Sequence, residues 1–314
     1  MSRIRTVKNL WKSNKRGLGV ALFNNIAHSG ILNWMSDKSF LNLTYWVHFG
    51  RSINWENPQT FNEKLQWLKV YNRNPVYTQM VDKYDVKDYV AKVIGDEYII
   101  PTIGVWDRVE DIPFDKLPDQ YVIKCTHDSG SVCVCNNKNS FDVDKAKKKL
   151  AHGLRHNLFY WGREWPYKNV MPRIIAERYL EDEQIHELRD YKFFCFGGKV
   201  KMFKIDFDRF TEHHANYYDI NLNLLPFGEA DFPPKPEKSL DFPSQINKMF
   251  QLAEKLSHEI PFLRVDFYQV NNQVYFGELT FFPATGMGKW TDDKWDVELG
   301  SWINLPTNKT TEIQ

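Results

Sequence analysis

The sequence predicts an α+β (α/β) protein built as two hairpin-bearing lobes. From about residue 99 onward, apolar runs of strand length alternate with amphipathic helical stretches. Two pairs of strand runs are joined by paired turn residues, Gly197-Gly198 and Asn271-Asn272. Size agrees: 314 residues, 42% hydrophobic and 26% charged, allow one large domain or two fused lobes around an ordinary globular core. The same numbers exclude a disordered chain, a collagen and a disulfide scaffold. Aromatic residues, at 15%, suit deep stacked pockets, and a net charge of +1 gives no electrostatic case for binding nucleic acid.

In chain order, the stretch QTFNEKLQWLKVY opens a helix: Thr60 followed three residues later by Glu63 is a capping box, and Phe61, Leu65 and Leu68 share one face. A second helix is expected from about Thr78 to Val93, stopped by Gly95 and carrying the pair Asp82 and Lys83. YIIPTIGVW reads as a strand, and the turn-rich DRVEDIPFDKLPDQ after it reads as a link between an N-terminal part and the body. YVIKCT (121–126) and VCVCN are strands around the turn HDSGS, followed by a helix capped near Asp142 and a strand in RIIAERYL (173–180). DYKFFCFGGKVKMFKIDFDR is a hairpin. SQINKMFQLAEKLSHEI is a helix with Ser244 as its cap and Ile246, Met249, Phe250, Ala253, Leu256 and Ile260 on one stripe. FLRVDFYQVNNQVYFGELTFF is the last hairpin.

Four cysteines in so long a chain, Cys125, Cys133, Cys135 and Cys195, fit a reducing, cytoplasmic compartment. Cys133 and Cys135 lie two apart with no further ligand at zinc spacing, so packing on one strand face is expected. No apolar run is long enough to span a membrane, and no small-residue cleavage site follows the apolar stretch after residue 16, so a signal peptide is not expected. Arg3, Arg5, Lys8, Lys12, Lys15 and Arg16 all precede the first acid, Asp37. Such a segment suits either a helix packed on the body or peripheral contact with an anionic membrane surface.

The last hairpin carries the most chemistry. Asp266 and Glu278 lie on its two strands, but a two-residue turn at Asn271-Asn272 places Asp266 opposite Gly277 and leaves Glu278 on the other face. A one-residue bulge would bring both carboxylates to one face, where they suit Mg²⁺ bridging nucleotide phosphates; the alternative is a solvent-facing edge hairpin. In HDSGSV, backbone amides around Gly130 with the hydroxyls of Ser129 and Ser131 can cradle phosphate, or form an ordinary turn. Lys124, inside the preceding apolar strand, is placed to reach such a phosphate or to snorkel to solvent. Asp190 and Lys192 share a strand face, which an ion pair also explains.

Taken in order, the segments NPQTFNEKLQWLK, DKYDVKDYV, LPDQYVIKCTHDSGSV, IAERYL, RDYKFFCFGGKVKMF and FLRVDFYQVNNQVYFGELTFFPATG resemble the TupA-like branch of the ATP-grasp ligases, associated with polysaccharide and teichuronopeptide biosynthesis. The resemblance implies two α+β lobes closing over ATP, with an N-terminal helical extension (1–75), a substrate-side region (76–118), a first lobe (119–180) and a second lobe with the metal site (181–314). It assigns Lys124 to the α and β phosphates, Ser129, Gly130 and Ser131 to a flap over them, and Glu177 with the backbone of Arg178 and Leu180 to the adenine hinge. Asp190 would hold the ribose, and Lys192 and Arg209 the terminal phosphate. Asp266 and Glu278 match the two metal-binding acids, and Arg264 the arginine that steadies the tetrahedral intermediate. Relatives continue the second acid as Glu-x-Asn, whereas here Thr280 offers a hydroxyl in place of the amide oxygen.

The implied reaction activates a carboxylate as an acyl phosphate, which an amine converts to an amide, with ATP and Mg²⁺ required. The family association adds a uronic acid of a surface polysaccharide (capsule, O-antigen or teichuronic type) or its precursor as the acid, and a cytoplasmic site peripheral to the inner membrane face. Two other classes remain at this stage. A glycosyltransferase would need an acidic nucleotide-sugar motif, for which Asp206-Phe207-Asp208 is the nearest match, and a nucleotide-binding protein without turnover would tolerate Thr280.

Overall fold

The computed structural model describes residues 15–182, 188–208 and 212–307. Helices α1 (Lys15–His28) and α2 (Asp37–Phe49) form an N-terminal layer around a small core of Ala27, Phe40, Leu41, Tyr45 and Ile53. Helix α3 (Phe61–Tyr71) has the expected capping box: the Thr60 hydroxyl accepts the Glu63 N–H at 3.2 Å, and the Glu63 carboxylate accepts the Thr60 N–H at 3.2 Å. Its Phe61, Leu65 and Leu68 enter the largest core.

The single helix expected over 78–93 is two, α4 (Val76–Val81) and α5 (Val86–Ile94). Asp82 breaks it. Its carboxylate accepts the N–H groups of Tyr84 (2.7 Å) and Asp85 (2.9 Å), the Thr126 hydroxyl (3.0 Å) and Arg173 (3.1 Å). An Asp that bonds the backbone two and three residues ahead competes with the helical ladder and stops it.

The first sheet is antiparallel, in the order β1 (Thr102–Trp106), β4 (Ile174–Arg178), β2 (Tyr121–Cys125), β3 (Cys133–Cys135). Helix α6 (Val143–Leu154), capped by Asp142 through the Lys145 N–H at 2.9 Å, covers it with Ala146 and Leu150. The turn-rich stretch after β1 is not an interdomain link. Its apolar residues Val109, Ile112, Phe114 and Leu117 are buried in the core of this lobe, so β1 and the loop both belong to the first sheet's lobe. All four cysteines are free, and Cys133 and Cys135 pack as strand residues. A short helix, α7 (Phe159–Gly162), connects α6 toward β4.

The second sheet runs β7 (His214–Asp219), β6 (Lys199–Phe207), β5 (Asp190–Phe196), β8 (Phe262–Val270), β9 (Gln273–Thr280), again antiparallel. Its two hairpins turn where expected, with positive φ at Gly197 (56°), Gly198 (79°), Asn271 (48°) and Asn272 (67°), as tight two-residue turns require. Helix α8 (Ile246–Leu256) packs on one face through Met249, Leu252, Ala253 and Leu256, where Phe250 meets Phe193 and Phe203. Ser244 does not cap it: the residue before the helix is Gln245, and the Ser244 hydroxyl bonds Asn272 at 2.5 Å, tying the helix start to the hairpin tip. Helix α9 (Lys294–Ser301) closes against α3, with Asp296 accepting the Asn62 N–H at 3.0 Å. Among the described residues no helix is long and apolar enough to cross a membrane.

Candidate functional site

Strand alternation makes the second sheet two-sided. Phe193, Phe203 and Phe267 face α8, while Lys192, Lys204, Arg264 and Asp266 emerge on the opposite face, because Lys192 pairs with both Lys204 and Asp266, and Phe194 with Arg264. The last hairpin then carries the bulge that a shared site needs. From the turn, pairing is regular through Phe267 and Phe276. It then shifts, so that Asp266 stands opposite Glu278 and Arg264 opposite Thr280. The extra residue is Gly277. A Cβ there would lie 3.1 Å from the Asp266 carbonyl oxygen and 3.0 Å from the Tyr268 ring, so glycine fits the crowded bulge.

The two acids are bridged by Arg264. Its guanidinium binds Asp266 through two bonds of 2.7 Å and Glu278 through one of 2.6 Å, and Thr280 Oγ1 lies 3.3 Å from the same Glu278 oxygen. Lys192 contacts Asp190 and lies 3.0 Å from Asp206 and 3.9 Å from Asp266. Burial pushes the Asp266 carboxyl up, to about 7, against the pull of Arg264 and Lys192. Burial also acts to raise Glu278, but Arg264, Lys83, Lys192 and Lys124 outweigh it and hold Glu278 below its ordinary range. Lys83, between α4 and α5, and Lys124, on β2, lie outside the second sheet, and both act on the Glu278 charge.

Lys124 of β2 and Glu177 of β4 lie on one face of the first sheet. Glu177 is buried and bonds both Lys124 and Lys87 at 2.6 Å. A buried carboxylate needs such partners, and here it also holds two ammonium groups side by side. Lys83 reaches the phosphate-type turn itself, donating to the Asp128 carbonyl at 2.5 Å, while its own N–H bonds Thr126 at 3.0 Å. In the turn, Gly130 has φ 113° and Ser129 is exposed. Ser131 is buried: its hydroxyl accepts the Cys125 N–H at 2.8 Å and donates to Asp128 at 2.6 Å, so it fixes the turn's base.

Arg178 and Leu180, with Tyr179 and Glu181, line a cavity of about 1140 Å³ together with Val270, Asn271, Gln273 and Tyr275 near the tip of the last hairpin. This cavity stops short of Asp266 and Glu278. The Glu177 side chain is not part of its lining and points instead to the lysines. Arg209 lies outside the described residues. Thus Lys124, the Ser129–Ser131 turn, Lys192, Arg264, Asp266, Glu278 and Thr280 fall around one facing pair of surfaces, with Arg178 and Leu180 at its edge.

Several members were not singled out from sequence. Lys87 sits within DKYDVKDYV, where the helix break at Asp82 that aims it is invisible to periodicity. Lys204 bonds Glu229 (3.1 Å) and lies 3.4 Å from Asp206, His213 bonds Asp206 (2.9 Å), and Tyr217 donates to Glu229 (2.8 Å), extending the polar face across β6 and β7. The charged alternation in KMFKIDF was the available signal. Beyond β9, Ala284 (φ 46°), Thr285 (φ 51°) and Gly286 (φ 64°) form a left-handed turn, a costly backbone for a β-branched residue. Helix α3 holds it: Lys69 donates to the Thr285 carbonyl at 2.7 Å, Gln66 to that of Gly286 at 2.7 Å, and Asn62 to that of Gly288 at 2.8 Å.

The donor set fits a magnesium-bound nucleotide. Among the described residues no three His, Cys, Asp or Glu side chains converge as a cage. What the protein offers is a pair of carboxylates facing lysines, the arrangement magnesium uses when phosphates and water complete its shell.

The family model described as TupA-like ATPgrasp matches residues 63–304. No curated protein matches the chain. Among solved structures, it is similar to a D-alanine–D-alanine ligase from Bacillus anthracis complexed with ATP, at 15% identity over 65% of this chain and 54% of that one, with a TM-score of 0.36. It is also similar to the biotin carboxylase domain of a Hydrogenobacter thermophilus 2-oxoglutarate carboxylase in complex with MgADP (16% identity, 74% and 47% coverage, TM-score 0.39). A RimK domain ATP-grasp protein from Sphaerobacter thermophilus matches at 11% identity, 74% and 70% coverage and a TM-score of 0.40. The chain spans about half the length of the first two, 54% and 47%. Likenesses this distant decide nothing about chemistry.

Proposed function

The chain belongs to the TupA-like ATP-grasp family, and from that premise we propose that it is an ATP-dependent carboxylate–amine ligase. The observation that carries the reading is the bulged pairing of Asp266 with Glu278, with Lys124 and the turn-bound Lys83 close enough to act on the Glu278 charge. Family membership supports ATP as the phosphoryl donor. The donor set supports Mg²⁺, held by Asp266 and Glu278 with Thr280 beside them, where it would neutralise phosphate charge.

In the proposed reaction a carboxylate oxygen of the acid attacks the terminal phosphorus of ATP and ADP leaves. The amine nitrogen then attacks the acyl carbon, phosphate leaves and the nitrogen loses a proton. The protein's part is charge placed in advance. Lys124, Lys87 and Lys83 would clamp the polyphosphate over the turn, Lys192 and Arg209 its terminal group, and Asp190 the ribose. The cavity at Arg178 and Leu180 would take the base. Arg264 would stabilise the oxyanion formed as the amine adds, a contribution of about 3 kcal/mol for a donor of this kind. The acid is proposed to be a uronic acid of a surface polysaccharide or its sugar-nucleotide precursor, and the amine a small amino compound, with the enzyme working in the cytoplasm beside an anionic membrane surface. The domain scheme proposed with it has a helical extension (1–75), a substrate-side region beginning at 76, and the metal acids in the second lobe (181–314).

The transferase alternative gains no support, since Asp206 of its nearest motif is buried and engaged with Lys192, Lys204 and His213. The test is phosphate release from ATP with Mg²⁺, a uronic-acid sugar nucleotide and a panel of amino acids. Release that requires both acid and amine supports the ligase. UDP release without ATP consumption, or nucleotide binding with neither reaction, would overturn it.

A further inference from the structure

We propose that the outer face of the N-terminal helical layer docks on an anionic lipid bilayer, with Ile31 and Trp34 as its inserting side chains. This deepens the membrane-side part of the proposed function and depends on no step of ligation.

The layer's inner face is already satisfied by its own core, built on Ala27, Phe40, Leu41 and Tyr45. Its outer face exposes large apolar side chains among the exposed polar residues Asn25, Ser29 and Asn33. Leu22 (56% exposed) and Ile26 (47%) lie four residues apart on one side of α1, and Ile31 (65%) and Trp34 (82%) follow in the turn after it. Trp34 is the most exposed large hydrophobic side chain among the described residues. That turn is held from behind. Arg163, 2% exposed, donates to the carbonyls of Leu32 (3.1 Å), Asn33 (3.4 Å) and Met35 (3.4 Å), so backbone polar groups are bonded inward while the apolar side chains face out. A fixed tip that presents a tryptophan and an isoleucine, with its carbonyls satisfied, suits the lipid headgroup boundary.

Charge selects the occupant. The first 36 residues contain six basic side chains (Arg3, Arg5, Lys8, Lys12, Lys15 and Arg16) and no acid, which leaves the rest of the chain with a net charge of −5. Apolar anchors that follow a basic stretch of sequence match an anionic leaflet, since each basic residue near such a surface adds attraction that salt screens. The face also adjoins the proposed site: His28 stacks on Trp161 at 4.6 Å, and Trp161 lines a cavity with Ser129, Gly130 and Ser131. Docking there would present the phosphate turn to acceptors at the bilayer surface.

The test is co-sedimentation of the full chain with vesicles of phosphatidylcholine alone and of phosphatidylcholine with about 30% phosphatidylglycerol, at low and high salt. The wild type is expected to bind the anionic vesicles and to lose about tenfold or more in affinity at high salt. Replacing Ile31→Glu together with Trp34→Glu should reduce binding at least about tenfold with thermal melting unchanged. Absence of wild-type binding, equal binding by the double variant, or self-association in place of vesicle binding would overturn the proposal. Vesicle binding by a protein that fails to bind MgADP would leave it standing and remove the ligase reading instead.

Discussion

Lys69 is a buried lysine whose ionisation is measurable as stability. It is 1% exposed and donates to the Gly162 carbonyl (2.8 Å), the Thr285 carbonyl (2.7 Å) and the Thr285 hydroxyl (3.1 Å), fixing the left-handed turn beyond β9. Burial lowers its pKa from 10.5 to about 8, with Glu164 opposing the shift. Between those values the unfolded chain holds a proton that the folded protein has released, so stability rises with pH. The full window corresponds to about 3 kcal/mol, of which about 2 kcal/mol falls between about pH 7 and 9.5. The assay is urea unfolding followed by tryptophan fluorescence across that range, for the wild type and Lys69→Met. Other titrating groups act in both proteins, so the difference between the two curves isolates Lys69. It should grow in favour of the wild type by about 2 kcal/mol with rising pH. Parallel curves would mean that Lys69 titrates alike folded and unfolded and is not buried against the Gly162 and Thr285 carbonyls.

Three further outcomes follow from single contacts. Thr60→Ala removes half of the α3 capping box and should cost about 1 kcal/mol in unfolding free energy, measured in urea. Gly162→Ala places a methyl 2.1 Å from Thr285 Oγ1, itself bonded to Lys69, and should cost about 1–3 kcal/mol; a neutral effect would mean the turn is not packed against α7. Burial acts to raise Glu177, but Lys124 and Lys87 outweigh it and hold it below the ordinary carboxylate range. Its stabilisation is therefore present above its unfolded pKa near 4.5 and lost as pH falls through the lower folded value. Glu177→Gln should flatten that acid limb of an unfolding profile.

What could be read ahead of the structure, and what could not, divides along local and non-local physics. The capping box at Thr60, the Asp142 cap and both hairpin turns are set by residues within a few positions of one another, and each stands as expected. The arithmetic of the last hairpin stated what was needed, a bulge, without locating it. Crowding of Gly277 against Asp266 and Tyr268 locates it only in three dimensions. Asp82 reads in sequence as half of a charged pair with Lys83 within one helix; its distant partners Thr126 and Arg173, 44 and 91 residues away, hold the carboxylate where it also takes the Tyr84 and Asp85 N–H groups. Ser244 has a capping side chain, but Asn272 outcompetes the helix for it. The loop after β1 looked like a linker because its Pro and Asp content is high, while its four buried apolar residues are spaced too irregularly to register. Individual site residues were legible as charges within strands; Lys87 with Glu177 and Lys204 with Glu229 became visible only when separate elements met.

In the proposed site Asp266 and Glu278, brought to one face by the bulge, hold the metal of a bound nucleotide. Calorimetric titration of ADP in Mg²⁺ and in EDTA tests it most directly, for the wild type and for Asp266→Asn with melting checked in parallel. Binding is expected to be tight and to need Mg²⁺ in the wild type, and to be at least about tenfold weaker in the variant. Equal affinity with and without Mg²⁺, or an Asp266→Asn protein that binds MgADP as the wild type does, would contradict it.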